Sequence, residues 1–162
     1  MYRIGYGNDI HRLVAGRPLV LGGVLIESDL GAEGHSDADA LAHAVTDAIL
    51  GALALGDIGA HFPDNNPQWK NVDSLKLLAH VVGLMEIRNY QIVNVDSTVD
   101  LERPKLRPYI DRMRENLSGV LGVEVGCVSV KAKTGEGVDA VGERRAIRAE
   151  AVVLLKNVRL NL

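Results

Sequence analysis

Aromatic residues make up only 4% of this 162-residue chain, with one Phe and one Trp. A single-stranded nucleic acid would find few rings to stack on. The formal net charge of −3 adds no general pull toward phosphate backbones. Basic residues do gather locally, at Arg103, Lys105, Arg107, Arg112 and Arg114 and at Arg144, Arg145 and Arg148. The one cysteine, Cys127, excludes an internal disulfide and fits a reducing cytoplasm. It stands in Cys127-Val-Ser-Val, which reads as a buried strand rather than an electropositive reactive site. Long hydrophobic runs are missing too: the richest, Ile49 to Leu55, is far below the ~20 residues of a membrane span. Strand-like sequence from Tyr2 leaves no room for a basic-then-apolar leader. What is present, 47% hydrophobic and 24% charged residues, suits one domain over 1–162 with a full core.

Tyr2 to Tyr6 and Leu19 to Ile26 read as strands, the second broken at Gly22-Gly23 by a bulge or tight turn. Ser36 and Asp39 form an S-x-x-D capping signature for an Ala/Leu-rich helix running to about Leu55 and stopped by Gly56. Residues 56–71 are loop chemistry. Asp73 or Ser74 caps a second helix with Leu75, Leu78, Val82 and Met85 on its apolar side, ending near Asn89. Residues 91–101 alternate as a strand, with Val93, Val95, Ser97 and Val99 on one face. Pro108 suits the first turn of a third helix, Arg107 to Leu121. Val128 to Ala132 and Ala146 to Leu155 close the chain as strands. The pattern predicts an α/β fold, an α+β sandwich with a mixed β-sheet whose one face is covered by helices.

Asp9 and His11 lie two apart behind Gly7, so both side chains face the same side of an extended segment. On the first predicted helix, Asp39, His43 and Asp47 recur every four residues and share a face. A carboxylate on one ring nitrogen of His43 would fix its tautomer and free the other nitrogen for a metal. If that helix packs on the first strand, Asp9, His11 and His43 form an N/N/O set suited to zinc, with a fourth position open. The same spacing also suits a polar strand end and a solvated helix face. His35 and Ser36 precede the helix, whose first amides could receive an anion, although Ser36 could simply cap it. Lys133, Thr134 and Glu136 sit in a Gly-containing turn that is not a P-loop. His80 is expected only to pack or meet solvent.

Taken together, G-x-D-I-H at 7–11, HSDAD at 35–39, HAVTDAILGALALGDIGAHFPD at 43–64, NVDSTV at 94–99, RPK at 103–105 and VKAKTGEG at 130–137 resemble one family. It is that of the 2-C-methyl-D-erythritol 2,4-cyclodiphosphate synthases of the non-mevalonate isoprenoid pathway, and the resemblance spans nearly the whole chain. It implies a lyase that converts 4-diphosphocytidyl-2-C-methyl-D-erythritol 2-phosphate into the cyclic diphosphate with release of CMP. Asp9, His11 and His43 would hold zinc, and Glu136 a second divalent cation, magnesium or manganese. His35 and Thr134 would stabilise the transition state, and His35 with Ser36 would bind the 2-phosphate. Asp57, Ile58 and Gly59 would meet the cytidine ribose, and Phe62, Pro63, Asp64, Asn65 and Asn66 the methylerythritol. The resemblance also implies a homotrimer with its sheets around a central axis and active sites between subunits. The neighbour would supply Leu101, Glu102, Arg103, Pro104, Lys105, Leu106 and Arg107 to the cytosine, and Lys133, Thr134, Gly135 and Glu136 to the phosphates.

The chain departs from the family pattern at Gly142-Glu143-Arg144-Arg145-Ala146, where G-R-G-E-G is usual, and the apolar residue usual a little earlier is Ala140. These positions border the inner cavity of the family trimer, so a prenyl diphosphate is not expected there. Two other readings compete: a metal-dependent phosphohydrolase that activates water, and a non-catalytic α/β module holding a nucleotide or RNA on its basic stretches.

Overall fold

Alternate residues from Gly5 to Leu13 are small, apolar or ligand-like, and the chain there runs as one strand, β1 (Tyr2–Val14), longer than the expected Tyr2 to Tyr6. The structure, a computed structural model, describes residues 1–159. Leu19–Leu21 (β2) and Val24–Ile26 (β3) pair as a hairpin across Gly22-Gly23, both with positive φ, so the tight turn rather than the bulge is what occurs. Gly31–Ala32 (β4) pairs with the end of β1.

The first helix, α1 (Ala40–Ala52), starts on Asp39, whose carboxylate accepts from Ala42 N. Ser36 does not cap it; its Oγ accepts from Ala38 N in the preceding turn. The helix also stops at Leu53, before the expected Leu55. Within residues 56–71 the chain is more ordered than loop chemistry suggested: α2 (Ile58–His61) is capped by Asp57, and a short turn at Pro67–Trp69 by Asn66.

Asp73 caps α3 (Ser74–Ile87), which buries Leu77, Leu78, Val81, Val82 and Met85, while Leu75 is only half-buried. In β5 (Tyr90–Asp100) a bulge between Ile92 and Asn94 shifts the register. Ile92 therefore takes the buried place expected of Val93. A single 3₁₀ turn at Arg107–Tyr109 precedes α4 (Ile110–Leu121), which Gly122 ends in the left-handed region. Cys127 is half-buried in a turn before β6 (Val128–Lys133), not in the strand expected for it. The short α5 (Asp139–Gly142) leads to β7 (Ala146–Asn157), whose Ile147, Ala149, Ala151, Val153 and Leu155 are buried in alternation, as expected.

The five-stranded sheet has the order β4-β1-β7-β5-β6, antiparallel except for the parallel β5 and β6 pair. Helix α1 lies over β1 and β7, α3 over β5, and α4 over β6. One contiguous apolar cluster fills the space between, each fully buried Leu, Ile or Val contributing about 1.5–3 kcal/mol. The other sheet face carries exposed Tyr2, Ile4, Tyr6, Ile10 and Val152. Among the described residues no helix is long and apolar enough to cross a membrane.

Candidate metal centre and flanking clefts

Two glycines decide how close α1 comes to β1. A Cβ on Gly5 would lie 1.8 Å from Ala48 O, and one on Gly7 would lie 2.1 Å from Ala44 O. Only glycine lets the helix backbone rest directly on the strand. Asp9 and His11 follow on the same strand face, opposite Ala149 and Ile147 of β7. His43 precedes Ala44, so this contact brings it over them.

Asp9 Oδ2 lies 2.8 Å from His11 Nε2 and 2.8 Å from His43 Nδ1, and the two nitrogens are 3.4 Å apart. A tetrahedral ion with bonds of about 2.0–2.1 Å needs donors about 3.3–3.4 Å apart. The nitrogen–nitrogen separation matches that value and the two carboxylate–nitrogen separations are hydrogen-bond distances, shorter than it. The three groups suit a divalent metal in chemistry and in convergence, and they form the one such cluster among the described residues. Burial would push the Asp9 carboxyl up, but hydrogen bonds from His11 and His43 outweigh it and hold it at about 2. Burial would lower the His11 imidazole, and its bond to Asp9 overrides that and raises it.

The distal ring nitrogens are held as well. His11 Nδ1 is 2.8 Å from Glu33 O, an acceptor only, so that nitrogen carries a proton. His43 Nε2 is 2.8 Å from Ser74 Oγ and 3.2 Å from Ser36 Oγ. The expected carboxylate partners of His43 are different from those observed. Asp39 is fully buried and accepts from Gly22 N, Gly23 N and Ala42 N. Burial nevertheless pushes it up to about 6. Asp47 accepts from Ile58 N, tying α2 to α1, and burial raises its carboxyl. It is Asp9, from the strand, that bonds the His43 ring. As the N-cap of α1, Asp39 takes the Ala42 amide, one of the helix-start donors.

Below the triad lies a cleft of about 370 Å³, lined by His35, Ser36, Ile58, Gly59, Phe62 and Asp64 among others. His35 Nε2 reaches Asn66 O at 3.4 Å. Asp57 is exposed and its carboxylate accepts from Ala60 N. Pro63, Asn65 and Asn66 do not line this cleft, whereas Trp69, Val72 and Leu77 do. Trp69 packs edge-on against Phe62 at 5.1 Å and was missed in the sequence, which gives no signal for a lone Trp in a polar loop. His80 is exposed and meets Phe62 edge-on at 5.5 Å.

A second cleft, of about 390 Å³, opens where the parallel strands β5 and β6 end. Asp100 pairs with Lys133, so the following loops lie side by side. Leu101, Pro104, Lys105, Leu106, Arg107, Lys133 and Thr134 line it. Glu102 accepts from Gly135 N at 2.8 Å, and Thr134 Oγ1 donates to Glu136 Oε1 at 2.9 Å. Arg103 is exposed and lines a wider neighbouring hollow with Arg144, which pairs with Asp29 at 2.6 Å. The two clefts share no lining residue, and neither Thr134 nor Glu136 reaches the triad's cleft in the single chain.

The sequence profile of the YgbB family matches residues 2–156. The chain belongs to the YgbB family. A YgbB relative from Solibacter usitatus, named 2-C-methyl-D-erythritol 2,4-cyclodiphosphate synthase, is 54% identical over 154 residues, covering 95% of this chain and 97% of its own. A solved synthase of that name with CDP bound superposes with a TM-score of 0.88 at 43% identity, over 95% of this chain and all of the other. The Plasmodium falciparum IspF–CDP complex gives a TM-score of 0.85 at 37% identity, with 96% of each chain covered. These relatives place the chain among the cyclodiphosphate synthases, a family of enzymes. The resemblance read from the HSDAD and FPD blocks is thereby upheld. Ser74 and Glu33, which hold the ligand rings, went unnoticed as site residues, because a helix-start Ser and a backbone carbonyl leave no motif.

Proposed function

We propose that this YgbB-family chain converts 4-diphosphocytidyl-2-C-methyl-D-erythritol 2-phosphate to 2-C-methyl-D-erythritol 2,4-cyclodiphosphate and CMP, as a phosphorus–oxygen lyase of the cytoplasm with one catalytic domain over 1–162. The observation that carries the reading is the convergence of Asp9, His11 and His43 above a cleft lined by His35 and Ser36. The CDP-bound relatives support a cytidyl nucleotide as the leaving half.

An oxygen of the 2-phosphate, ionised at neutral pH, forms a bond to the β-phosphorus. The bond from that phosphorus to the bridging oxygen breaks, and CMP leaves with the oxygen and its electron pair. No protein base is needed, so the residues position groups and neutralise charge. Asp9, His11 and His43 would hold zinc, which would supply charge withdrawal from the β-phosphate. Glu136 would hold a second divalent cation, magnesium or manganese. His35 and Ser36 take the 2-phosphate, and His35 and Thr134 offer donors to the charge that builds up at phosphorus. Asp57, Ile58 and Gly59 take the ribose, Phe62 to Asn66 the methylerythritol, and Leu101 to Arg107 the cytosine, with Lys133 and Gly135 at the phosphates.

His35, Ser36, Ile58, Gly59, Phe62 and Asp64 line one cleft, and Leu101, Pro104 to Arg107, Lys133 and Thr134 the other, which supports a homotrimer in which the second cleft of one chain faces the triad of the next. The exposed row Tyr2, Ile4, Tyr6 and Ile10 on the helix-free sheet face gives such copies an apolar surface to cover. In the altered stretch, Arg145 pairs with Glu143 at 2.7 Å and Arg144 with Asp29. That internal pairing supports the expectation that no prenyl diphosphate sits there.

Product analysis tests the reading. Incubation with the cytidyl substrate, zinc and magnesium is expected to yield the cyclic diphosphate and CMP in equal amounts. CDP or inorganic phosphate as the main product would establish hydrolysis instead.

A further inference from the structure

Asp37 lies two residues from the start of the HSDAD block and has no role in the chemistry above. Its Oδ1 accepts the hydroxyl proton of Ser74 in a short hydrogen bond, and its Oδ2 accepts from Ser74 N at 3.1 Å. Ser74 is fully buried at the first position of α3. Its hydroxyl has a single hydrogen, and a carboxylate can only accept, so that hydrogen is committed to Asp37. What Ser74 Oγ offers to His43 Nε2, 2.8 Å away, is therefore a lone pair. The ring must donate from Nε2. Its neutral form then carries the lone pair on Nδ1, the nitrogen that converges with Asp9 and His11.

We propose that Asp37 and Ser74 are positioning residues that fix the metal-ready tautomer and orientation of His43. Asp37 acts through the direction of a two-bond chain, carboxylate to hydroxyl to imidazole, in the way carboxylates commonly back metal-bound histidines. The hydroxyl lets the carboxylate stay on the α3 side while its influence reaches α1. Ser36 Oγ, at 3.2 Å from Nε2 and engaged with Ala38 N, is a weaker second acceptor. The substitution Asp37→Asn would turn the chain around. The new amide could donate to Ser74 Oγ, Ser74 would donate to Nε2, and the ring proton would move to Nδ1, where it opposes a metal.

The proposal rests on the reading of the triad as a zinc site, and the test separates the two. Zinc affinity is measured by chelator competition on the full chain for wild type, Ser74→Ala, Asp37→Asn, the double variant and Asp73→Ala, with Tm recorded for each. Wild type is expected to bind one zinc per chain. Ser74→Ala and Asp37→Asn are each expected to weaken zinc about 10- to 100-fold, and the double variant no more than Ser74→Ala alone, because Asp37 acts through Ser74. Asp73→Ala removes the bond to Leu75 N that caps the same helix, and it is expected to lower Tm with zinc affinity kept. Absence of zinc from wild type would sink the metal reading and this one with it. Zinc in wild type with unchanged affinity in folded Ser74→Ala or Asp37→Asn would overturn the positioning role alone. So would a full Asp37→Asn effect persisting without the Ser74 hydroxyl, or an equal loss of zinc in Asp73→Ala, which would assign the effect to the helix start. If Ser74→Ala does not fold, Asp37→Asn against Asp73→Ala still decides it.

Discussion

His43 is the residue on which the site turns, because it alone of the triad comes from a helix while Asp9 and His11 share a strand. His43→Ala should abolish stoichiometric zinc and CMP release yet keep the helix, since α1 is held by Leu41, Val45, Ala48 and Ile49, all buried. Elemental analysis with circular dichroism checks both halves, and retained zinc would remove His43 from the ligand set. The metal-free triad also sets a pH dependence. Asp9 is held near 2 against an ordinary 3.8, so its contribution to stability is present above 3.8 and lost as pH falls toward 2. His11 is raised above its ordinary 6.5, so its contribution is full below 6.5 and lost as pH rises through the higher folded value. Zinc-stripped protein should therefore gain most from this pair between about pH 4 and 6.5. Thermal melts of wild type and Asp9→Asn across that range should differ most there, and parallel curves would refute the assignment. At this scale spacing made Asp9, His11 and His43 a candidate set and the family blocks favoured it, while the ring partners were not legible. Spacing pointed to Asp39 and Asp47, which helix capping and an α2 amide had already claimed.

At the scale of elements, the contact of α1 on β1 is the structural requirement for the triad. Gly7→Ala would place a methyl 2.1 Å from Ala44 O and force the helix off the strand. We expect a loss of roughly 3 kcal/mol in denaturant unfolding together with weakened zinc, because the displacement carries His43 away from Asp9. A stable variant with normal zinc would show that the approach is not needed. Asp39 joins the β2–β3 turn to the start of α1 through three backbone donors on its two oxygens. Asp39→Asn turns an amide toward Gly22 N and Ala42 N or toward Gly23 N, and should cost about 2–3 kcal/mol by leaving buried donors unpaired. An unchanged unfolding midpoint would count against it. The three long helices, α1, α3 and α4, followed from periodicity and caps, whereas the short α2 and α5 did not. The bulge at Val93 and the true length of β1 did not, since both depend on what the strand pairs with.

For the molecule as a whole, the exposed apolar row on β1 is the feature a single chain leaves unexplained. If copies assemble there, Ile4→Lys should shift the sedimentation of the native protein toward monomer and remove CMP release. It should leave zinc bound, because all three candidate ligands belong to one chain. An intact assembly, or activity in the monomer, would overturn the split-site arrangement. By itself the sequence determined the fold class, the family and the three candidate ligands, because period-2 and period-3.6 patterns and the family blocks are local records. Tertiary structure alone decided which carboxylate meets His43, that Ser74 and Asp37 stand behind it, and that the two clefts are separate. Those facts depend on which elements touch, and here that is set by two glycines and a strand order that no local pattern encodes.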